Sequence, residues 1–312
     1  MLREHEPKLS AHLASLTPLL KRFNDLKRIK TAEVPHRSLA QRGFARAWSA
    51  LMAGDDVCAV AIREAAAAVA AVELAGMNTR TLRCGGLDDA RIEAVYERAV
   101  PKAAQDLAPA LLERLVQAVP DLVQHGDEHG RSTPVFVTAL QDQPRAGATH
   151  PTQPRLVLEP PESHADHCYV VGVSAVILAG QAQADVAGPF LAALSHHLHN
   201  AVLPDAGFAG EALLGEHLEP LMNRLTAQAL DVMPKSLAMQ VRDSHALLAA
   251  PSDVSAEAFH AADVIDRVLE AAHYDEVARF RLDYALDTLE LVHPGPLKPF
   301  QDRVLHAARL VI

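Results

Sequence analysis

The sequence predicts a mainly α protein built from two helical domains with a small β-hairpin between them, and three observations carry that expectation. Apolar residues recur at helical spacing along most of the 312 residues. Residues 57–76 are rich in alanine, the strongest helix former. Residues 124–162 lack a helical period, and two short runs within them, 135–140 and 155–159, are the candidates for a hairpin.

In the first domain, 1–125, Leu9, Leu13, Leu16, Leu19, Leu20, Phe23 and Leu26 form the stripe of an amphipathic helix over 9–30, whose basic end suits a C-terminal pole. Leu39, Phe44, Ala47, Trp48 and Leu51 mark a second helix over 37–53, which Gly54 stops. The alanine-rich segment is a third. Asp88 and Asp89 precede a fourth over 91–100, and Pro101 starts or breaks the next over 101–119. Residues 126–162 are rich in proline and glycine and read as a linker, with 135–140 and 155–159 pairing as its hairpin. In the second domain, 163–312, Ser163 and Asp166 form an N-terminal cap for a helix over 164–180. Further helices are expected at 185–201, 208–231, 234–249, 255–272, 275–291 and 297–310.

Composition narrows the function. A net charge of −10 with no extended basic face excludes a nucleic-acid partner. Cys58, Cys84 and Cys168 have no paired spacing, so neither a disulfide framework nor a cysteine metal knuckle is expected, and the chain reads as cytoplasmic. The amino terminus lacks an apolar signal core, and the most apolar runs are too short or too charged to span a bilayer, so no membrane partner is expected. Homo-oligomerisation is left open.

The seventeen histidines concentrate after residue 163. LAALSHHLHNAVLPDAGFAGE, residues 191–211, sets His196, His197, His199 and Asn200 at the end of an apolar helical run. Imidazoles at that density ask for a partner, and a divalent transition metal is the economical one.

From His167 onward the chain resembles the HD-domain superfamily, helical metal-dependent phosphohydrolases. Their pattern runs from a histidine opening one helix, through a His-Asp pair ending the next, to a distant aspartate. HCYVVGVSAVILAG after residue 166 resembles the first element, AALSHHLHNAVLPD the second, and AADVIDRVLE the last. The resemblance spans about 150–285. It implies an HD-like bundle for the second domain, with His167, His196, His197 and Asp263 as metal ligands. His197 stands where the family has its aspartate, His199 where it has glycine, and Asn200 where many members have a phosphate-binding lysine. Histidine in place of aspartate removes a negative charge and moves preference away from magnesium or manganese toward zinc, iron, nickel or copper, with manganese still among the candidate metals.

Three functions follow from the resemblance. The first is metal-dependent hydrolysis of a phosphomonoester or nucleotide, a small phosphorylated molecule, with Glu211 or His199 taking the proton from water and Arg242 near the phosphate. The second is a diiron oxygenase, in which His217 and His245, with Glu211, complete a second metal site. The third is a degenerate HD-like module for sensing or interaction.

Overall fold

The computed structural model describes residues 9–125, 133–248, 253–278 and 295–307, and the chain is mainly helical. It begins with α1 (Ser10–Asp25), a hairpin of β1 (Lys30–Thr31) and β2 (Val34–Ser38), then α2 (Leu39–Ala53), α3 (Val57–Leu74), α4 (Thr79–Cys84), α5 (Asp89–Ala103), α6 (Pro109–Gln117) and α7 (Val119–His125). It continues through α8 (Val135–Asp142), a hairpin of β3 (Ala148–His150) and β4 (Gln153–Leu156), α9 (His164–Gln181), α10 (Ala187–Ser195), α11 (Gly207–Leu214), α12 (Leu218–Asp231) and α13 (Lys235–Leu248). The last elements are α14 (Val254–Ala278) and α15 (Lys298–Ala307). Short 3-10 turns at Leu198–Ala201 and Gly215–His217 precede α11 and α12. No helix among the described residues is long and apolar enough to cross a membrane.

Several boundaries differ from the sequence expectation. The helix expected over 9–30 ends at Asp25 and the chain turns into β1. Pro101 lies inside α5, and the next helix opens eight positions later with Pro109 in its first turn. Residues 135–140 are helical, because Phe136, Val137 and Leu140 are buried at helical spacing against α2 and α9 while Val135 stays exposed. The hairpin in this region pairs Ala148 with Leu156 and His150 with Gln153 instead. The helices expected over 185–201 and 208–231 are each broken by a 3-10 turn. Most of the helix expected at 275–291 lies outside the described residues.

The chain divides into two compact units, Met1–Arg267 and Val268–Ile312. The boundary expected within 126–162 therefore falls inside the first unit. At the centre of that unit is α9, buried at every position from His164 to Gly180 and packed by α1, α2 and α3 as well as α8 and α10. Small residues permit the close packing. A Cβ on Gly43 of α2 would lie 2.2 Å from the Tyr169 ring of α9, which no side chain can accept. In the second unit, Lys298 and Asp302 of α15 pair one turn apart.

The N-termini of α2 and α9 lock together. Ser38 and Gln41 form a capping box on α2, and Ser163 and Asp166 form the expected one on α9. The boxes are cross-bonded: Gln41 Nε2 donates to Ser163 Oγ at 2.9 Å, and Ser38 Oγ donates to Asp166. This fixes the first turn of α9, from which His164 and His167 project.

Candidate metal centre

The site is made where α9, the end of α10 and α14 meet. His167, fully buried, sits one turn into α9. Its Nδ1 lies 2.7 Å from Asp266 Oδ2, and its Nε2 lies 3.2 Å from Asp263 Oδ1 and 3.3 Å from His196 Nε2. Asp263 and Asp266, three positions apart on α14, share one face of that helix. The remaining oxygen of Asp263 is held by Arg267, one turn further on.

His196 and His197 occupy the turn between α10 and the following 3-10 helix. The last carbonyls of a helix have no intrahelical partner, and Ala193 O, in the last turn of α10, lies 2.7 Å from His196 Nδ1. His197 Nδ1 lies 2.9 Å from Asn200 Oδ1, and Asn200 Nδ2 donates to Leu203 O at 3.0 Å. Each of the three rings thus spends its Nδ1–H on a fixed acceptor and keeps a lone pair at Nε2. His167, His196 and His197 can each present a ligand nitrogen within 4.8 Å of the others.

This arrangement fits a cation. His167 Nε2 faces a second imidazole lone pair and a carboxylate oxygen, all acceptors. A proton bridges one such pair, whereas a cation meets the whole group. His167, His196 and His197, three of the four ligands implied by the sequence, are therefore brought together, and the fourth, Asp263, adjoins them at His167 Nε2. A second acidic group, Glu162, His167 and Asp266, is also compact, but its positive charge is already supplied by the Lys27 ammonium, which contacts Glu162 and lies 2.7 Å from Asp266 Oδ1.

Electrostatics follow from burial. Burial, then the neighbouring His167, pushes the His196 imidazole down to about 3, and burial holds His197 well below its ordinary value. Burial alone would raise Asp263, but the adjacent His167, then His196 and Arg267, outweigh it and keep the carboxyl well below the usual range. Asp266 is likewise raised by burial and lowered more by Lys27 and His167, to about 2.

The cluster opens on a cavity of about 680 Å³, within the range of small-molecule sites. His199 and Glu211 line it, His199 buried with its ring centroid 5.8 Å from that of His197, and Glu211 exposed on α11. His217 is exposed in its 3-10 turn and is not among the residues lining the cavity. His245 on α13 is committed elsewhere, with Nε2 2.8 Å from Ser195 Oγ. The structure therefore does not bring His217 and His245 into the cluster: His217 is exposed in its turn, and the His245 ring is spent on Ser195. Arg242 is exposed on α13 and does not line the cavity either.

Sequence reasoning missed four participants. Asp266 and His164 were legible as partners three positions from Asp263 and His167 on the same helices. Lys27 and Arg145 arrive from distant segments and left no local signal. His164 is fully buried, with its Nε2 3.7 Å from Asp205 Oδ2 and its ring centroid 4.7 Å from that of His197. Arg145 lines the cavity; its Nε lies 3.5 Å from Glu162 Oε2, and its Nη1 is buried without a hydrogen-bond partner among the described residues.

Acid sensitivity follows. His164, His196, His197 and His199 are held below 6.5, in each case by burial first. A ring that stays neutral when folded but takes a proton when unfolded withdraws stability as pH falls below 6.5, until its folded value is reached near 3 for His196 and near 2 for His164. At pH 5 each ring costs at most about 2 kcal/mol. Asp166, raised to about 6 by burial, acts in the opposite sense below that pH and offsets less than one ring at pH 5. Urea midpoints of the metal-free protein are expected to fall steadily from pH 7 to pH 5, and a flat profile would contradict the neutral burial of these imidazoles.

No protein-family model, curated protein or solved structure matches the chain at a significant level, so its reading rests on its own residues.

Proposed function

We propose that the chain is an HD-like, metal-dependent hydrolase of phosphomonoesters. The observation that carries this reading is the convergence of His167, His196 and His197 with Asp263, each imidazole anchored through Nδ1 so that Nε2 remains a ligand atom. These four residues would hold the ion, and three neutral nitrogens with one carboxylate favour zinc, iron or nickel over magnesium. A divalent ion there supplies Lewis acidity toward a phosphoryl oxygen and brings the acidity of water toward neutral pH.

The chain's own groups complete the chemistry. Asp266, held by Lys27, keeps the His167 proton on Nδ1. His199, neutral at pH 7 because burial lowers its affinity for protons, faces the cavity as an acceptor for the proton of an attacking water. Arg145 offers Nη1 to an anion. The diiron reading requires more ligands than this cluster holds, since His217 and His245 are directed elsewhere.

The test is phosphate release from a panel of phosphomonoesters before and after chelation, with metal content measured on the same samples. Activity is expected to vanish with the metal and to return with zinc, iron, nickel or manganese. Undiminished phosphate release from protein verified to be metal-free would overturn the proposal. Stoichiometric metal in the isolated protein would dismiss the degenerate-module reading.

A further inference from the structure

The cavity beside the histidines is lined by two unlike surfaces. One is polar and charged: Arg145, with its buried and unpartnered Nη1, and Arg267 line it with the imidazoles, beside the carboxylates of Asp205 and Glu211. The other is apolar: Leu203, Phe208, Leu214, Leu218 and Met222, from the segment after the 3-10 turn and from α11 and α12. Helix α11 reads GFAGEALL yet buries none of its residues, and Phe208 is 58% exposed. Apolar surface concentrated at a cavity mouth marks a binding face.

The two surfaces are held in register by one carboxylate. Asp205 Oδ2 accepts the Ala146 N–H at 3.0 Å, next to Arg145, and Asp205 Oδ1 accepts the Gly207 N–H at 2.9 Å, where α11 begins. Gly207 has φ +61°, and a Cβ there would lie 2.4 Å from Thr149 Oγ1, so only glycine lets α11 approach the β3 segment this closely. The segment carrying Arg145 and the start of α11 are therefore tied together through Asp205.

Resting on the hydrolase reading for the identity of the anion, we infer that the substrate is an amphiphilic phosphomonoester. Its phosphate meets Arg145 Nη1 beside the imidazoles, and its body is an alkyl or aryl group lying on Leu203, Phe208, Leu214, Leu218 and Met222. A nucleotide is disfavoured where its base would lie on these five side chains. Its base carries donors and acceptors that aliphatic side chains leave unpaired, and desolvating them opposes binding.

The test uses the metal-replete chain and non-hydrolysable n-alkylphosphonates from ethyl to decyl, below their aggregation concentrations, with AMP and hexanol as comparators. Calorimetric affinity is expected to rise about threefold to fourfold per methylene, or about 80- to 250-fold between ethyl- and hexylphosphonate. Hexanol and AMP should both bind far more weakly than hexylphosphonate. Arg145→Met should weaken every phosphonate by a similar factor, with Arg145→Lys recovering part of it. Phe208→Ser and Met222→Ser, at partly exposed positions, should flatten the chain-length dependence, weakening ethylphosphonate least and the longer chains most. A flat series, or AMP binding tighter than hexylphosphonate, overturns the inference. Steep chain-length dependence without phosphate release from the matching alkyl phosphates would reject the hydrolase and leave the amphiphilic site standing. Metal-dependent phosphate release with a flat series would do the reverse.

Discussion

Replacing His167 with alanine is expected to remove the metal from the protein. His167 is the one ring that faces both His196 and Asp263 through Nε2 while its Nδ1 is held by Asp266, so its loss separates the ligands contributed by α10 and α14. With zinc at about 1,000 times its dissociation constant, the wild-type chain should gain about 4 kcal/mol against unfolding, and the variant close to none. Thermal unfolding of both proteins, with and without zinc, checks this, and the metal-free pair measures separately what the variant costs the fold. Stoichiometric zinc retained by His167→Ala would show that the imidazole cluster is not the ligand set.

Lys27→Met should be the most destabilising single change among the ion pairs. The Lys27 side chain is 2% exposed and its ammonium bridges Glu162 and Asp266, themselves 9% and 2% exposed. Removing one member of a buried charge group leaves the others uncompensated, at a cost of about 3–5 kcal/mol. Urea denaturation of the metal-free protein reads that loss. Adding Glu162→Gln to Lys27→Met should recover part of it, because the two residues interact directly and their effects are not additive. Since Asp266 orients His167, metal affinity should also fall about 10- to 100-fold in Lys27→Met protein that remains folded. A loss below about 1 kcal/mol would mean that the two carboxylates find other compensation.

Much of the helical order was legible because local signals and tertiary packing agree. The Leu9–Leu26 stripe is buried at Leu9, Leu16, Leu19, Leu20, Phe23 and Leu26, and Ser163 caps α9 as its spacing with Asp166 implies. The errors arose where two signals competed. Residues 135–140 carry β-branched side chains, but burial follows the helical period there and sets the conformation. The histidine turn reads as continuous helix because its apolar spacing persists, yet side-chain bonds bend it: Ser195 Oγ donates to Leu191 O, and Asn200 Nδ2 donates to Leu203 O. The four ligand candidates were readable because a motif names residue types at a spacing. The Nδ1 acceptors and Arg145 were not, because they depend on which carbonyl or guanidinium the folded chain delivers to the site.

The complete burial of α9 bears on how this chain can be divided. A cut just before residue 163, where proline and glycine suggest a seam, would leave one fragment without the helix on which α1, α2 and α3 pack. The other fragment would carry that helix with an uncovered apolar flank, and Lys27 and Asp266 would be on different polypeptides. Neither piece would be a self-sufficient folding unit. Complementation of the two halves in trans, rather than independent expression of either, is the behaviour this topology dictates.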